Sequence, residues 1–208
     1  MIVHAIATGP LKVNCYIVGC EETGKAAVID PGGDSDKIIS ILEENKLTPI
    51  YILLTHGHWD HIDAVGALKE RYGAEIGLHR GDEILYLGAE QTAVLFGFSM
   101  QAPPPVDLFL KDGDMLQRGE ISLKVVHTPG HSQGSVCFVC DGVVFTGDLI
   151  FAGAVGRTDF PGGDSEKLYD SINNRIFTLP DDTRLYPGHG PVTTVLSEKC
   201  RETFYTDG

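Results

Sequence analysis

The chain is poor in positive charge: 16 Lys and Arg stand against 29 Asp and Glu, a formal net charge of −13. Neutralising a phosphate backbone takes clustered cations. Here they are scattered, which argues against a nucleic-acid partner. No window approaches the ~18 continuous apolar residues that a membrane span needs. Met1-Ile2-Val3-His4-Ala5 lacks the basic region and long apolar run of a signal peptide. Cysteine is sparse as well. Cys15, Cys20, Cys137, Cys140 and Cys200 are odd in number and irregular in spacing, a poor disulfide framework, so a reducing cytoplasm is the expected setting. Cys137 and Cys140 have the spacing of a redox or zinc pair but sit in an apolar run that reads as a buried strand. Residues i and i+3 of a strand point to opposite faces, so small core cysteines are the better reading.

What remains is an ordinary globular composition, 42% hydrophobic and 22% charged over 208 residues, enough for one domain. Apolar runs at 26–29, 50–54, 121–126, 136–139 and 143–145 read as strands. Helical periodicity covers 35–45, 63–72 and 165–177. Two or more strands precede the first helix, so a two-layer β-core with helices outside fits better than a doubly wound sheet. The segment 89–106, with Pro103-Pro104-Pro105, reads as a long loop or cap. Pro31-Gly32-Gly33-Asp34-Ser35-Asp36-Lys37 is nearly repeated by Pro161-Gly162-Gly163-Asp164-Ser165-Glu166-Lys167. Two independent helix starts with Asp or Ser caps would explain this, and so would a duplicated half-domain.

Chemistry concentrates in His56-Gly57-His58-Trp59-Asp60-His61. On this chain's composition, His-x-His-x-Asp-His arises by chance roughly once in a thousand cases. It follows a strand and precedes a helix, so it lies on a turn held by a scaffold. In an extended turn His56, His58 and Asp60 would point to one side and His61 to another. Asp60 alone would also pass as a helix cap. Four times an apolar strand stops at Thr or Pro beside a Gly and a potential ligand: Thr55-His56-Gly57, Thr128-Pro129-Gly130-His131, Thr146-Gly147-Asp148 and Pro187-Gly188-His189. These tips would converge if the strands share one sheet edge. His131, Asp148 and His189 are each ordinary turn residues taken singly; together with the cluster they read as a metal site. His4, His79 and His127 lack such a context.

This set resembles the ligand pattern of the metallo-β-lactamase superfamily over nearly the whole chain. The resemblance implies one domain, 1–208, of α/β class (α+β in layer terms), an αββα sandwich with metals at one edge. It implies His56, His58 and His131 on one ion, Asp60, His61 and His189 on a second, and Asp148 bridging. Asp30, in Ile29-Asp30-Pro31-Gly32, would steady the histidine loop behind the ligands; without the family it reads equally as a turn carboxylate. Asn14-Cys15-Tyr16 and the segment from Gly156-Arg157-Thr158-Asp159 to Asp164 resemble short glyoxalase-II-like hydrolases, which implies hydrolysis of a 2-hydroxyacyl thioester of glutathione such as S-lactoylglutathione. Larger members add a C-terminal helical region for glutathione, whereas about twenty residues follow His189 here.

The ligand types suit the chemistry. Two divalent ions lower the pKa of a shared water and polarise a carbonyl; zinc leads, with iron or manganese compatible. Set against Asp60, Asp148 and one hydroxide, two ions leave about +1 inside a chain of net −13, which favours an anionic small-molecule substrate. Asp60 is the candidate catalytic carboxylate. Arg157 is the candidate substrate contact, with a bridge to Asp159 or a carbonyl as its structural alternative. The rival from another class is an iron-dependent persulfide dioxygenase, whose family carries a similar Gly-Arg-Thr-Asp loop. A lactonase or β-lactamase would use the same ligands.

Overall fold

A computed structural model describes residues 1–118 and 121–201. Three strands come first, β1 (Ile2–Thr8), β2 (Val13–Gly19) and β3 (Lys25–Ile29), followed by helix α1 (Ser35–Glu44) and β4 (Thr48–Leu53). A 3₁₀ turn, Trp59–His61, then leads to α2 (Val65–Tyr72), β5 (Glu75–His79), a second 3₁₀ turn Arg80–Asp82, α3 (Glu83–Leu87), α4 (Ala89–Leu95) and β6 (Leu108–Leu110). The second half runs β7 (Met115–Arg118), β8 (Ile121–His127), β9 (Val136–Cys140), β10 (Val143–Gly147) and the small hairpin β11 (Ile150–Phe151) and β12 (Ala154–Val155). It ends with α5 (Ser165–Ser171), a π turn Ile172–Ile176, β13 (Arg184–Pro187), β14 (Thr193–Thr194) and α6 (Val195–Lys199).

Two six-stranded sheets form, ordered β1-β2-β3-β4-β5-β6 and β14-β13-β10-β9-β8-β7. The strands alternate between two cores, which explains why they read as nearly continuous apolar runs. Tyr16, Ala27, Ile29, Tyr51 and Leu53 of the first sheet pack on Leu123, Val125, Phe138 and Phe145 of the second. The opposite faces, through Cys15, Ile17, Val28 and Ile52, bury Ile38 and Leu42 of α1 and Val65 and Leu68 of α2. On the far side, Cys137, Val144 and Leu185 bury Leu168 and Ile172. This is the αββα sandwich. Cys137 and Cys140 fall in different cores, and all five cysteines are unpaired.

The halves share a topology. In the first, β1, β2 and β3 are antiparallel and β3 reaches the parallel β4 through α1. In the second, β8, β9 and β10 are antiparallel and β10 reaches the parallel β13 through α5. That is the arrangement a duplicated half-domain gives. The two helix starts nonetheless differ in detail: Asp164 caps α5 by accepting from the Lys167 amide, whereas Asp34 is left-handed and makes no cap bond. Its carboxylate instead accepts from the Gly9 amide at 3.1 Å.

Two expectations need correction, and one alternative reading falls away. The 89–106 segment is not loop throughout: its first part is α4, whose Ala89 and Ala93 are buried against the first sheet's outer face. Seven residues of weak periodicity and an exposed apolar side hid it. Asp60 caps no helix, because α2 starts after Ala64. The ligand-bearing tips belong to both sheets, β4 in the first and β8, β10 and β13 in the second, and converge at one end of the sandwich rather than at one sheet edge.

Candidate metal centre

Each strand tip delivers its side chain by a tight turn. After β4 the chain bends at Thr55 and His56, and His58 is extended at φ −72°, ψ 143°. The chain then coils into the 3₁₀ turn Trp59–His61, so the alternation expected of His56, His58 and Asp60 breaks, and Asp60 joins His61. Two groups of potential ligand atoms result, each gathered within 4.8 Å: His56, His58 and His131, and Asp60, His61 and His189. His131 Nε2 lies 2.9 Å from His58 Nδ1, and Asp60 Oδ2 lies 3.7 Å from His61 Nε2 and 3.5 Å from His189 Nε2. Asp148, from the β10 tip, faces both: one carboxylate oxygen is 3.4 Å from His61 Nε2 and the other 3.7 Å from His131 Nε2. The tips approach so closely that a Cβ on Gly188 would come within 2.2 Å of the Asp148 carboxylate and 2.7 Å of the His61 ring.

Asp30, His56 and His61 form a third close group, but the Asp30 oxygens are already committed. One accepts the Thr55 amide at 2.8 Å; the other accepts the Thr55 hydroxyl at 2.6 Å and lies 3.1 Å from His61 Nδ1. Because the Thr55 proton goes to Asp30, His56 Nδ1 donates to the Thr55 oxygen at 3.0 Å. Asp30 thus sits behind two imidazoles and turns the Nε2 lone pairs of both inward. His131 is set in the same way, its Nδ1 donating to the Arg157 carbonyl at 2.7 Å. His56 Nε2, His61 Nε2 and Asp148 Oδ1 are then three of the five buried side-chain N and O atoms, among the described residues, that lack a hydrogen-bond partner. A buried polar atom without a partner is costly, and three such atoms spread over the two ligand groups and the carboxylate between them fit bound cations.

Electrostatics agree. Burial, then the neighbouring imidazoles, hold His56 well below the ordinary histidine range and push His58 down to about 4. Both are neutral at pH 7, the form that binds metal. Burial would lower His61 too, but the Asp148 and Asp60 carboxylates outweigh it and raise it well above that range. Burial would raise the Asp148 carboxyl, yet His61, His131 and His189 keep it well below the usual carboxylate range.

Several contributors have no motif of their own. Asp82 is fully buried. Its carboxylate accepts from the Gly57 amide at 2.9 Å, the Ser132 hydroxyl at 2.6 Å and the Gly134 amide at 2.6 Å. It therefore ties the loop of His56 and His58 to the loop of His131. Asn14 donates to the carbonyls of Pro187 and Gly190, and the Tyr16 hydroxyl to that of Pro187, pinning the His189 loop to β2. Asn14-Cys15-Tyr16 had pointed only to a family, with no role attached. Arg157 makes a bidentate pair with Asp159 at 2.7 and 2.6 Å and lies over the Phe160 ring at 3.7 Å, so its charge is compensated. His79 and His127 stack on each other at 4.2 Å, and neither they nor His4 join a metal-competent group among the described residues.

Residues 8–189 match the family model of the Metallo-beta-lactamase superfamily. The chain belongs to this superfamily. Members are mostly hydrolases whose fold binds two metal ions, and the chain is a metal-binding hydrolase of this kind. It is 38% identical, over 98% of either chain, to hydroxyacylglutathione hydrolase GloC of Haemophilus influenzae. Among solved structures it resembles the BLEG-1 B3 metallo-beta-lactamase at 37% identity and a TM-score of 0.91, covering 99% of this chain and 100% of that one. It also resembles TTHA1623 in a di-iron-bound form at 39% identity and a TM-score of 0.88, covering 97% and 99%. No helix among the described residues is long and apolar enough to cross a membrane.

Proposed function

We propose that this superfamily member hydrolyses a thioester, with a 2-hydroxyacyl thioester of glutathione such as S-lactoylglutathione as substrate. The observation that carries the reading is the pair of three-ligand groups joined across Asp148, in a chain similar from end to end to a hydroxyacylglutathione hydrolase. His56, His58 and His131 would hold one divalent ion and Asp60, His61 and His189 the other, with Asp148 between them; zinc is the first candidate. When bound, such ions lower the pKa of a shared water and polarise the carbonyl under attack.

The chain's own residues supply the rest. Asp30, through Thr55 and His61, fixes two ring tautomers before any substrate arrives, and the Arg157 carbonyl fixes a third. Asp60 and Asp148 each reach both His61 and His189, and Asp60 is the carboxylate that belongs to the second group alone. A thiolate leaves readily, so no separate general acid is required. The residual positive charge of a loaded centre favours an anionic small molecule, and five unpaired cysteines fit a reducing cytoplasm.

A second reading, opening of a β-lactam or lactone ring on the same ligands, draws support from the likeness to a B3 metallo-beta-lactamase. A persulfide dioxygenase is less well supported, since it needs one iron and both ligand groups are complete here. The purified protein of known metal content is to be assayed with S-lactoylglutathione, a β-lactam, a lactone and glutathione persulfide under oxygen monitoring. Fastest turnover of the thioester is expected. Oxygen uptake without thioester hydrolysis would overturn the proposal.

A further inference from the structure

We infer that the cleft above the metal centre selects its substrate by an apolar acyl group lying between α4 and the Phe160 loop. The inference takes its chemistry from the thioesterase proposal, but the binding it predicts can be measured without turnover. The cleft encloses about 440 Å³ with His58, Asp60, His131, Asp148 and His189 on its floor, a size suited to a small ligand. Leu85 of α3 with Leu95 and Phe96 at the end of α4 form one wall, Phe160 and Pro161 the other, and Leu11 the rim.

The two walls touch each other through aromatic rings. Phe96 is 6.0 Å from Phe160, edge to face, and Phe160 is 5.9 Å from His58 in the same manner. Leu95 is 85% exposed and Phe96 51%, so apolar surface at the mouth faces water until something covers it, and covering it is favourable. Arg157 is the only Lys or Arg among the described lining residues, and Asp159 already pairs with it through Nε and Nη2. The carboxylates of glutathione therefore meet no unpaired cation among the lining residues, and selection falls to the acyl side.

Trp59 is the chain's sole tryptophan. It lines the cleft and stacks on Phe96 at 6.2 Å, so its fluorescence reports occupancy. The test titrates the as-purified protein with linear carboxylates from acetate to octanoate while following Trp59, and measures hydrolysis of acetyl to octanoyl thioesters of N-acetylcysteamine, an uncharged thiol. Affinity is expected to tighten about two- to fourfold per methylene, the range for partial to full burial of each CH₂. Phe96→Ala and the surface change Leu95→Ser should flatten that slope, the second with no risk to the fold. A flat wild-type series, or a slope unchanged in both variants, would overturn the inference even if thioesters are cleaved. Steep binding without hydrolysis of any thioester would leave the inference standing and remove the proposed reaction.

Discussion

Replacing Asp82 by asparagine separates loop positioning from chemistry, because Asp82 touches no ligand ring. Its carboxylate receives three donors, Gly57 N–H, Ser132 O–H and Gly134 N–H. An asparagine can turn its oxygen towards Gly57 and Ser132, and its NH₂ then confronts the Gly134 amide, 2.6 Å from the present oxygen. Two bonds weaken from carboxylate to amide strength, and one buried donor is left unpaired. At about 1–3 kcal/mol for the orphaned donor and a fraction of that for the weakened bonds, the metal-free protein should lose about 2–4 kcal/mol. Urea unfolding of the metal-free form reads this directly. Because the two loops carry His56, His58 and His131, zinc affinity measured by chelator competition should also fall about 10–100-fold, the range for residues that support ligands from behind. Gly134→Ala, whose Cβ would sit 2.6 Å from the Asp82 amide nitrogen, should produce the same pair of losses. Asp82→Asn with wild-type unfolding and wild-type zinc affinity would refute the tethering argument.

Asp30→Asn keeps a side chain that tolerates the left-handed backbone at φ 49°, but it sets an NH₂ against either Thr55 or His61; zinc affinity should fall about 10–100-fold, as chelator competition would show. Metal loading at pH 7 should release at least one proton, because His61 and His189 are both held above the ordinary histidine range in the metal-free chain while His56 and His58 lie below it; calorimetry in buffers of different ionisation enthalpy would count the protons. The sign for folding differs between these groups. The depressed His56 and His58 contribute stability to the metal-free chain that is present above pH 6.5 and lost on acidification, for His58 between pH 6.5 and about 4, whereas the raised His61 contributes below 6.5 and loses its contribution as pH rises through its folded pKa. Arg157→Ala removes a cation already paired on the surface, so KM for S-lactoylglutathione should change less than about threefold; a tenfold rise would mark Arg157 as a direct contact.

The sequence made the sandwich legible because both sheets are buried on both faces: β3, β4, β8, β9 and β10 announce themselves as apolar runs, and α1 and α2 by their period. β1, with its partly exposed pattern, and the three-residue β6 carry too weak a signal. α4 was lost because it packs only two alanines inward and presents Val94 and Leu95 to solvent. At the centre, the short spacings of 56–61 and the glycine-flanked tips name the residues that meet. Which of them group together comes from the family resemblance and not from local alternation, since a 3₁₀ turn at Trp59–His61 swings Asp60 towards His61. Asp82 and Asn14 were invisible for a related reason: each acts on backbone groups of a distant loop, 52 or more residues away in its longest bond, and no local pattern marks such a partner.

The central claim is that the clustered imidazoles and carboxylates hold the ions on which hydrolysis depends. Elemental analysis of the wild type and His58→Ala, each reconstituted with zinc and assayed on S-lactoylglutathione in the same preparation, tests it most directly. The account predicts two metal ions per wild-type chain, fewer in the variant, and loss of hydrolysis in step with the metal while the far-ultraviolet circular dichroism is unchanged. Undiminished hydrolysis by a metal-free His58→Ala protein would contradict it.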